Sequence, residues 1–144
     1  MKNTAQIAKE ISQILPTFLR HMYPYVFQPI PVPPSQVLAL VTIEEKGTCS
    51  LGKLGKEMHV SAPTISGIVD RLEKGGYIKR LADKKDRRVT HIILTHKGKK
   101  VVQHFRENIM TRWQYILKNL PAEMQEGPLF MLRQITQRFI DGII

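Results

Sequence analysis

Six stretches of the chain repeat apolar residues at the spacing of a helix, and two shorter runs read as strands. Ile7, Ile11, Ile14, Leu15, Phe18, Leu19 and Met22 predict an amphipathic helix over residues 3–22, with a kink or break where Pro16 removes a backbone donor. Val37, Leu38, Leu40, Val41 and Ile43 predict a second helix, capped by Ser35 and ended at Lys46-Gly47. Ser50 can cap a short third helix anchored by Leu51, Leu54 and Met58, and His59-Val60 makes the turn into a fourth. That fourth helix has Ser61 as its N-cap, Pro63 near its start, Ile65, Ile68, Val69 and Leu72 on its apolar face and Gly75-Gly76 at its end. Tyr77–Leu81 and Val89–Leu94 then read as a hairpin. Thr95 can cap a long helix running to about Asn119, with Val101, Val102, Phe105, Ile109, Trp113 and Ile116 along one stripe. Pro121 is expected to open a last helical segment that Gly127-Pro128 interrupts, with Leu129, Leu132, Ile135, Phe139 and Ile140 beyond the interruption. Tyr23–Pro34 carries five prolines yet is strongly apolar, so it is expected to lie extended against the fold, as a rigid connector, a pocket wall or a dimer contact.

The middle of this order is helix, short turn, helix, then a hairpin, which is a winged helix-turn-helix arrangement. The fold class is therefore mainly α with a small β-hairpin wing, in a chain of 144 residues read as one domain. Residues 35–98 form the winged-helix lobe and residues 1–34 and 99–144 the flanking helices. Those end helices carry more apolar surface than one lobe can bury, so a homodimer is expected.

Charge changes the picture by its location. The net charge is +10, and between Arg71 and Lys100 stand 11 Lys and Arg against 3 Asp and Glu, a surplus of 8. Residues 1–70 and 101–144 each contribute a surplus of only 1. A surface made basic for solubility would not concentrate its charge in this way, whereas a polyanionic partner explains it. Thr64, Ser66, Gly67 and Arg71 fall on or beside the polar side of the fourth helix, and Lys84, Lys85, Arg87 and Arg88 crowd the hairpin tip. Small polar side chains on a helix beside a cationic hairpin suit a DNA duplex, with the helix in the major groove and the tip on phosphates or the minor groove. Arg71 has a second option, an ion pair with Glu57 or Asp70.

A single cysteine, Cys49, excludes an intrachain disulfide. Residues 1–30 lack a signal-peptide pattern and no run is apolar enough to span a membrane, so a cytoplasmic location is expected. His21, His59, His91, His96 and His104 show no metal-ligand spacing, and no nucleophile-plus-base set or Gly-rich phosphate loop stands out; neither metal, cofactor nor enzymatic activity is expected.

Leu54 to Gly98 resembles the MarR family of winged-helix transcriptional regulators: LGKLGKEMHVS in the second helix of the motif, SAPTISGIVDRLEKGGYIKR in the recognition helix, DKKDRR in the wing and LTHKG leading out of it. Helix order and length extend the resemblance over nearly the whole chain. It implies a homodimer whose first and last helices interlock, a palindromic operator and, usually, repression relieved by a ligand or by oxidation. It implies that Arg88 reaches into the minor groove with Asp86 holding it, and that Ser61, Thr64, Ser66, Gly67 and Arg71 face the major groove. Lys84, Lys85 and Arg87 read as phosphate contacts. This chain has Gly67 where the family commonly carries a basic or bulky residue, and Gly55 where alanine is usual. Cys49 lies outside the first helix, where oxidant-sensing relatives place their cysteine, so no redox role is expected for it. A small aromatic effector would fit beside His21, Met22, Tyr23, Tyr25 and Phe27, which otherwise simply fill the junction.

The expected function is a sequence-specific, dimeric DNA-binding regulator, most simply a repressor. The rivals are a winged helix used for protein interaction and a non-specific architectural DNA binder. The surplus of charge argues against the first, and sequence-indifferent affinity would mark the second.

Overall fold

In the computed structural model, which describes Met1–Ile144, the elements run α1 (Thr4–Phe27), α2 (Pro34–Lys46), α3 (Leu51–Glu57), α4 (Ala62–Lys74), β1 (Ile78–Ala82), β2 (Thr90–Leu94), α5 (His96–Lys118), one 3-10 turn (Ala122–Met124) and α6 (Gly127–Ile140). The chain divides into two units, Met1–Asn108 and Ile109–Ile144.

The first unit is built on a core that the apolar periodicity foretells. Val37, Ala39, Leu40 and Ile43 of α2, Leu54 of α3, and Ile65, Ile68, Val69 and Leu72 of α4 are buried, together with Ile78, Ile92 and Leu94 of the hairpin and Val101, Val102 and Phe105 of α5. β1 and β2 are antiparallel, in register from Ile78 opposite Leu94 to Ala82 opposite Thr90. Both strands start one residue later than the alternation suggests. A feature the periodicity does not show is a bridge on the other side of β2. The Cys49 N–H donates to the Ile92 carbonyl (3.1 Å) and the Ile92 N–H to the Cys49 carbonyl (2.7 Å), so the α2–α3 loop extends the sheet. Cys49 is thereby buried, and burial first, then the nearby Glu57 carboxylate, push its thiol pKa up. A thiol kept protonated is a poor oxidant sensor.

Three expectations about proline are corrected. Helix α1 runs unbroken past Pro16 and on through Pro24 to Phe27, so Tyr23–Phe27 are helical rather than extended. Each proline leaves a carbonyl one turn back without its donor, but Ser12 and Arg20 are exposed and water can serve them. The helix stops where Gln28, preceding Pro29, is forced into extended geometry. Asn108 of α5 donates to the Val26 and Gln28 carbonyls, both at 3.0 Å, and so satisfies that end.

Ser35 does not cap α2. Pro34 occupies the first turn, and the N–H groups of Gln36 and Val37 donate to the Pro33 carbonyl at 2.9 and 3.0 Å. In the second unit Gly127-Pro128 begins α6 instead of interrupting a helix, while Pro121 precedes only the 3-10 turn. A proline in the first helical turn forfeits no bond, which is why both pairs mark starts.

The junction between α4 and α5 is tightly knotted. The Thr95 hydroxyl donates to the Gly76 carbonyl (2.6 Å) and accepts from the Gly98 N–H (3.2 Å), capping α5 as expected. Lys97 reaches the Gly75 carbonyl (2.7 Å) and lies over the Tyr77 ring. Gly76 turns with φ +79°, and a Cβ on Gly98 would overlap the Tyr77 carbonyl oxygen. A side chain at Gly76 would strain the left-handed backbone, and one at Gly98 could enter only by displacing Tyr77.

Candidate nucleic-acid interface

Helix α4 forms because its cap, its proline and its apolar spacing agree. The Ser61 hydroxyl accepts from the Thr64 N–H at 3.3 Å and shares a 2.8 Å hydrogen bond with the Thr64 hydroxyl. Pro63 lies in the first turn, and Ile65, Ile68, Val69 and Leu72 are between 0 and 3% exposed. Such a face admits one rotation of the helix only. Ser61, Thr64 and Arg71 are left exposed, and Ser66 and Gly67 half-buried.

Arg71 takes neither of the ion pairs open to it in the sequence. Glu57 is held by Lys46 at 3.3 Å, and Asp70 by Arg80 at 2.7 Å. The Arg71 guanidinium leans one turn back along the helix, in the direction helical side chains favour, and lies 3.4 Å from where a Cβ on Gly67 would stand. The missing side chain at Gly67 thus leaves the space that Arg71 fills.

Arg80 straps the hairpin to this helix, pairing with both Asp70 (2.7 Å) and Glu73 (3.3 Å) of α4. The acids are largely exposed, so each pair is worth about 0–1 kcal/mol, and their effect is mainly to fix where β1 sits against α4. The strap removes Arg80 from the free positive charge of the region. Lys84, Lys85, Arg87 and Arg88 at the tip are exposed and make no ion pair.

The tip has an organiser that the sequence reading missed. Asp83 Oδ1 accepts from the Lys85 N–H (2.6 Å) and the Asp86 N–H (3.1 Å), and Oδ2 bonds His91 Nε2 (2.7 Å). The His91 bond first, then the two backbone N–H groups, hold its pKa at about 2. Asp86 in turn accepts from the backbone N–H of Arg88 at 3.0 Å, so it fixes the arginine's main chain rather than its guanidinium. An aspartate followed by polar residues is a recognisable turn signal, and the Asp83-Lys84-Lys85 run carried it. The cross-strand His91 carried no such mark.

The five residues read as an effector site occupy two sides of α1. Tyr23 and Phe27, four apart, have ring centroids 5.0 Å apart, and Phe27 packs on Phe105 at 5.3 Å. His21 and Tyr25 are likewise four apart but turned well away from that pair, with His21 Nδ1 bonded to the Thr17 carbonyl at 2.8 Å. Met22 is half-buried. A cavity of about 500 Å³ opens elsewhere, at the turn between α3 and α4, lined by Leu51, Lys56, His59, Val60 and Ile65 among others.

Residues 32–90 match the model of the MarR family. The HTH-type transcriptional regulator YsmB of Bacillus subtilis is 26% identical over 116 residues, covering 81% of this chain and 77% of the relative. A MarR family protein from Bacillus stearothermophilus superposes with TM-score 0.82 at 23% identity, covering 97% of this chain and 99% of that one. A mutant MarR from E. coli, solved complexed with operator DNA, superposes with TM-score 0.68 at 17% identity over 93% of this chain and 99% of that one. The two structural likenesses establish the fold, and the family match spans the α2–α3–α4 core and the hairpin tip. With helix, turn, helix and wing all in place, residues 32–90 carry a MarR-type winged helix-turn-helix, and the chain is similar over most of its length to helix-turn-helix transcriptional regulators.

Proposed function

We propose that this chain is a two-fold dimer that binds a palindromic operator and represses transcription from it. The observation that carries the reading is the pairing of two features held together by Arg80: the bare polar side of α4 and a tip with four unpaired cations. Ser61, Thr64, Ser66 and Arg71 face the major groove, with Arg71 lying across Gly67. Arg88 enters the minor groove, where narrow geometry concentrates negative potential. Lys84, Lys85 and Arg87 rest on phosphates, and Asp86 holds the backbone at Arg88. Residues 1–34 and 99–144 supply the dimer contacts, setting the two recognition helices about 34 Å apart.

The test separates specific from uniform affinity. Arg88→Ala weakens operator binding by about 1–3 kcal/mol and relaxes sequence preference, whereas Lys85→Ala weakens all sequences alike and lowers the salt slope by about one. Unchanged affinity and preference in Arg88→Ala would overturn the wing assignment. Equal binding of all duplexes by the wild-type protein would support the architectural rival.

Ligand relief belongs to the same reading. On the side of α1 that holds His21 and Tyr25, one ring and two polar tips are offered to a small aromatic carboxylate such as salicylate. Such a ligand acts only by preferring one spacing of the recognition helices. Tyr25→Ala should abolish the response and leave operator binding without ligand intact; a panel of such ligands that neither binds nor shifts affinity removes this part of the proposal.

A further inference from the structure

We propose that Asp83 and His91 are positioning residues for DNA binding, acting through Arg88. This rests on the wing assignment above. The chain of contacts is continuous. His91 sits in β2 opposite Leu81, next to the buried Ile92, so its backbone is anchored in the sheet. Its Nε2 meets Asp83 Oδ2 at 2.7 Å. Asp83 Oδ1 accepts from the N–H groups of Lys85 and Asp86, and Asp86 Oδ1 accepts from the N–H of Arg88. The loop is closed behind them by the Asp83 N–H on the Val89 carbonyl (2.9 Å) and the Val89 N–H on the Asp86 carbonyl (3.1 Å). Three side chains, His91, Asp83 and Asp86, therefore connect the backbone of the groove-reading arginine to the sheet.

The tip needs this connection. Lys84, Lys85, Arg87 and Arg88 repel one another, and only Asp83 and Asp86 lie among them as anions. No apolar side chain is buried between Asp83 and Thr90. With Asp83 removed, the Lys85 and Asp86 N–H groups lose their acceptor, and the loop samples conformations in which Arg88 points elsewhere. Binding then draws on the smaller fraction of molecules whose tip is correctly formed. Imidazole Nε2 donates to Asp83 in the neutral Nε2–H form and in the imidazolium alike, so the connection does not require a charged His91.

Simple electrostatics predicts the opposite sign. Asp83 is an anion beside a polyanion, and deleting it would tighten binding to any duplex. The experiment therefore uses Asp83→Ala, Arg88→Ala, the double variant, Asp83→Asn and His91→Gln. They are titrated by fluorescence anisotropy against a duplex selected by the wild-type protein from a random library. Asp83→Ala should weaken binding about tenfold in the wild-type background, as expected if the correctly formed tip falls to about a tenth of molecules, and should add nothing to Arg88→Ala. Asp83→Asn keeps an oxygen for the two N–H groups and His91→Gln keeps a donor, so both should recover most of the affinity. Hydrogen exchange at Lys85 and Asp86 should accelerate in Asp83→Ala while the melting temperature stays put. Tighter or unchanged binding by Asp83→Ala, or an equal loss with and without Arg88, overturns the positioning role while leaving the wing assignment standing. An Arg88→Ala protein that binds as wild type overturns the wing assignment, and this proposal with it.

Discussion

Helices α4 and α1 are both amphipathic, and they end up in opposite conditions. The apolar face of α4 lies between 0 and 3% exposed, while Ile7, Ile11, Ile14, Leu15, Phe18 and Leu19 of α1 are 40–66% exposed. Helix α6, in its own unit, resembles α1: Leu129, Leu132, Ile135, Phe139 and Ile140 all remain open. A helical stripe states which face seeks burial and not what will cover it. For α4 the cover is α2, α3 and the hairpin of the same chain. For α1 and α6 a second copy is the cover we propose, and the contrast divides the molecule into a part held by its own core and parts awaiting assembly.

The sharpest way to break the contrast is to empty the core. Leu40→Ala should cost about 2–5 kcal/mol in a denaturant titration, because a fully buried leucine leaves a cavity. A loss under 1 kcal/mol would mean that the lobe is not held by this core. Next comes Ile11→Asp on α1. It should leave the circular dichroism of the lobe unchanged and shift sedimentation from dimer to monomer, with about 1.5–3 kcal/mol lost per copy if the isoleucine is covered there. A dimer of undiminished affinity would place the interface elsewhere. Gly98→Ala should destabilise by about 1–3 kcal/mol, since the added methyl must displace the Tyr77 carbonyl.

Two smaller effects sharpen the picture within the lobe. His59 is the one non-glycine residue with positive φ, at +54°, and ends α3 with its own N–H on Lys56 and that of Val60 on Gly55. His59→Gly should stabilise by about 0.5–1 kcal/mol by relieving the left-handed backbone, measurable as a rise in melting temperature. The smallest effect is at the wing and depends on acid. The folded pKa of Asp83 is lowered from 3.8 to about 2, so its contacts are complete above about pH 4 and are lost as pH falls through 2. The Lys85 and Asp86 amide resonances should titrate with a midpoint near 2; a midpoint near 3.8 would mean that the carboxylate is not bonded in solution.

Most of the lobe was legible because each signal there is local. Ser61, Pro63 and the apolar spacing after it agree on one helix, and Gly75-Gly76 marks its end. Proline misled at Pro16, Pro24 and Gly127-Pro128 for a common reason: its cost depends on whether the freed carbonyl is wet and on which turn the ring enters, and neither is written in the residue itself. At the site, the cations and the polar side of α4 were readable from charge and period. The connection of Asp83 to His91 was not, since a cross-strand pair depends on register, which the strand bounds alone do not state. Nor could spacing show that Arg80 would take Asp70 from Arg71.

The bridge between Cys49 and Ile92 has a consequence beyond the fold it closes. A two-stranded hairpin ordinarily offers two open edges to any extended chain, and such edges seed aggregation. Here the loop at Cys49 occupies the outer side of β2, leaving only β1 unpaired, and β1 carries Lys79, which makes no ion pair, beside Arg80 with its two carboxylates. A neighbouring strand approaching that side must set its own backbone against charged side chains. A protein whose recognition surface has to stay open to DNA, and which must be kept from sticking to its own copies through that same hairpin, is protected on one side by backbone pairing and on the other by charge.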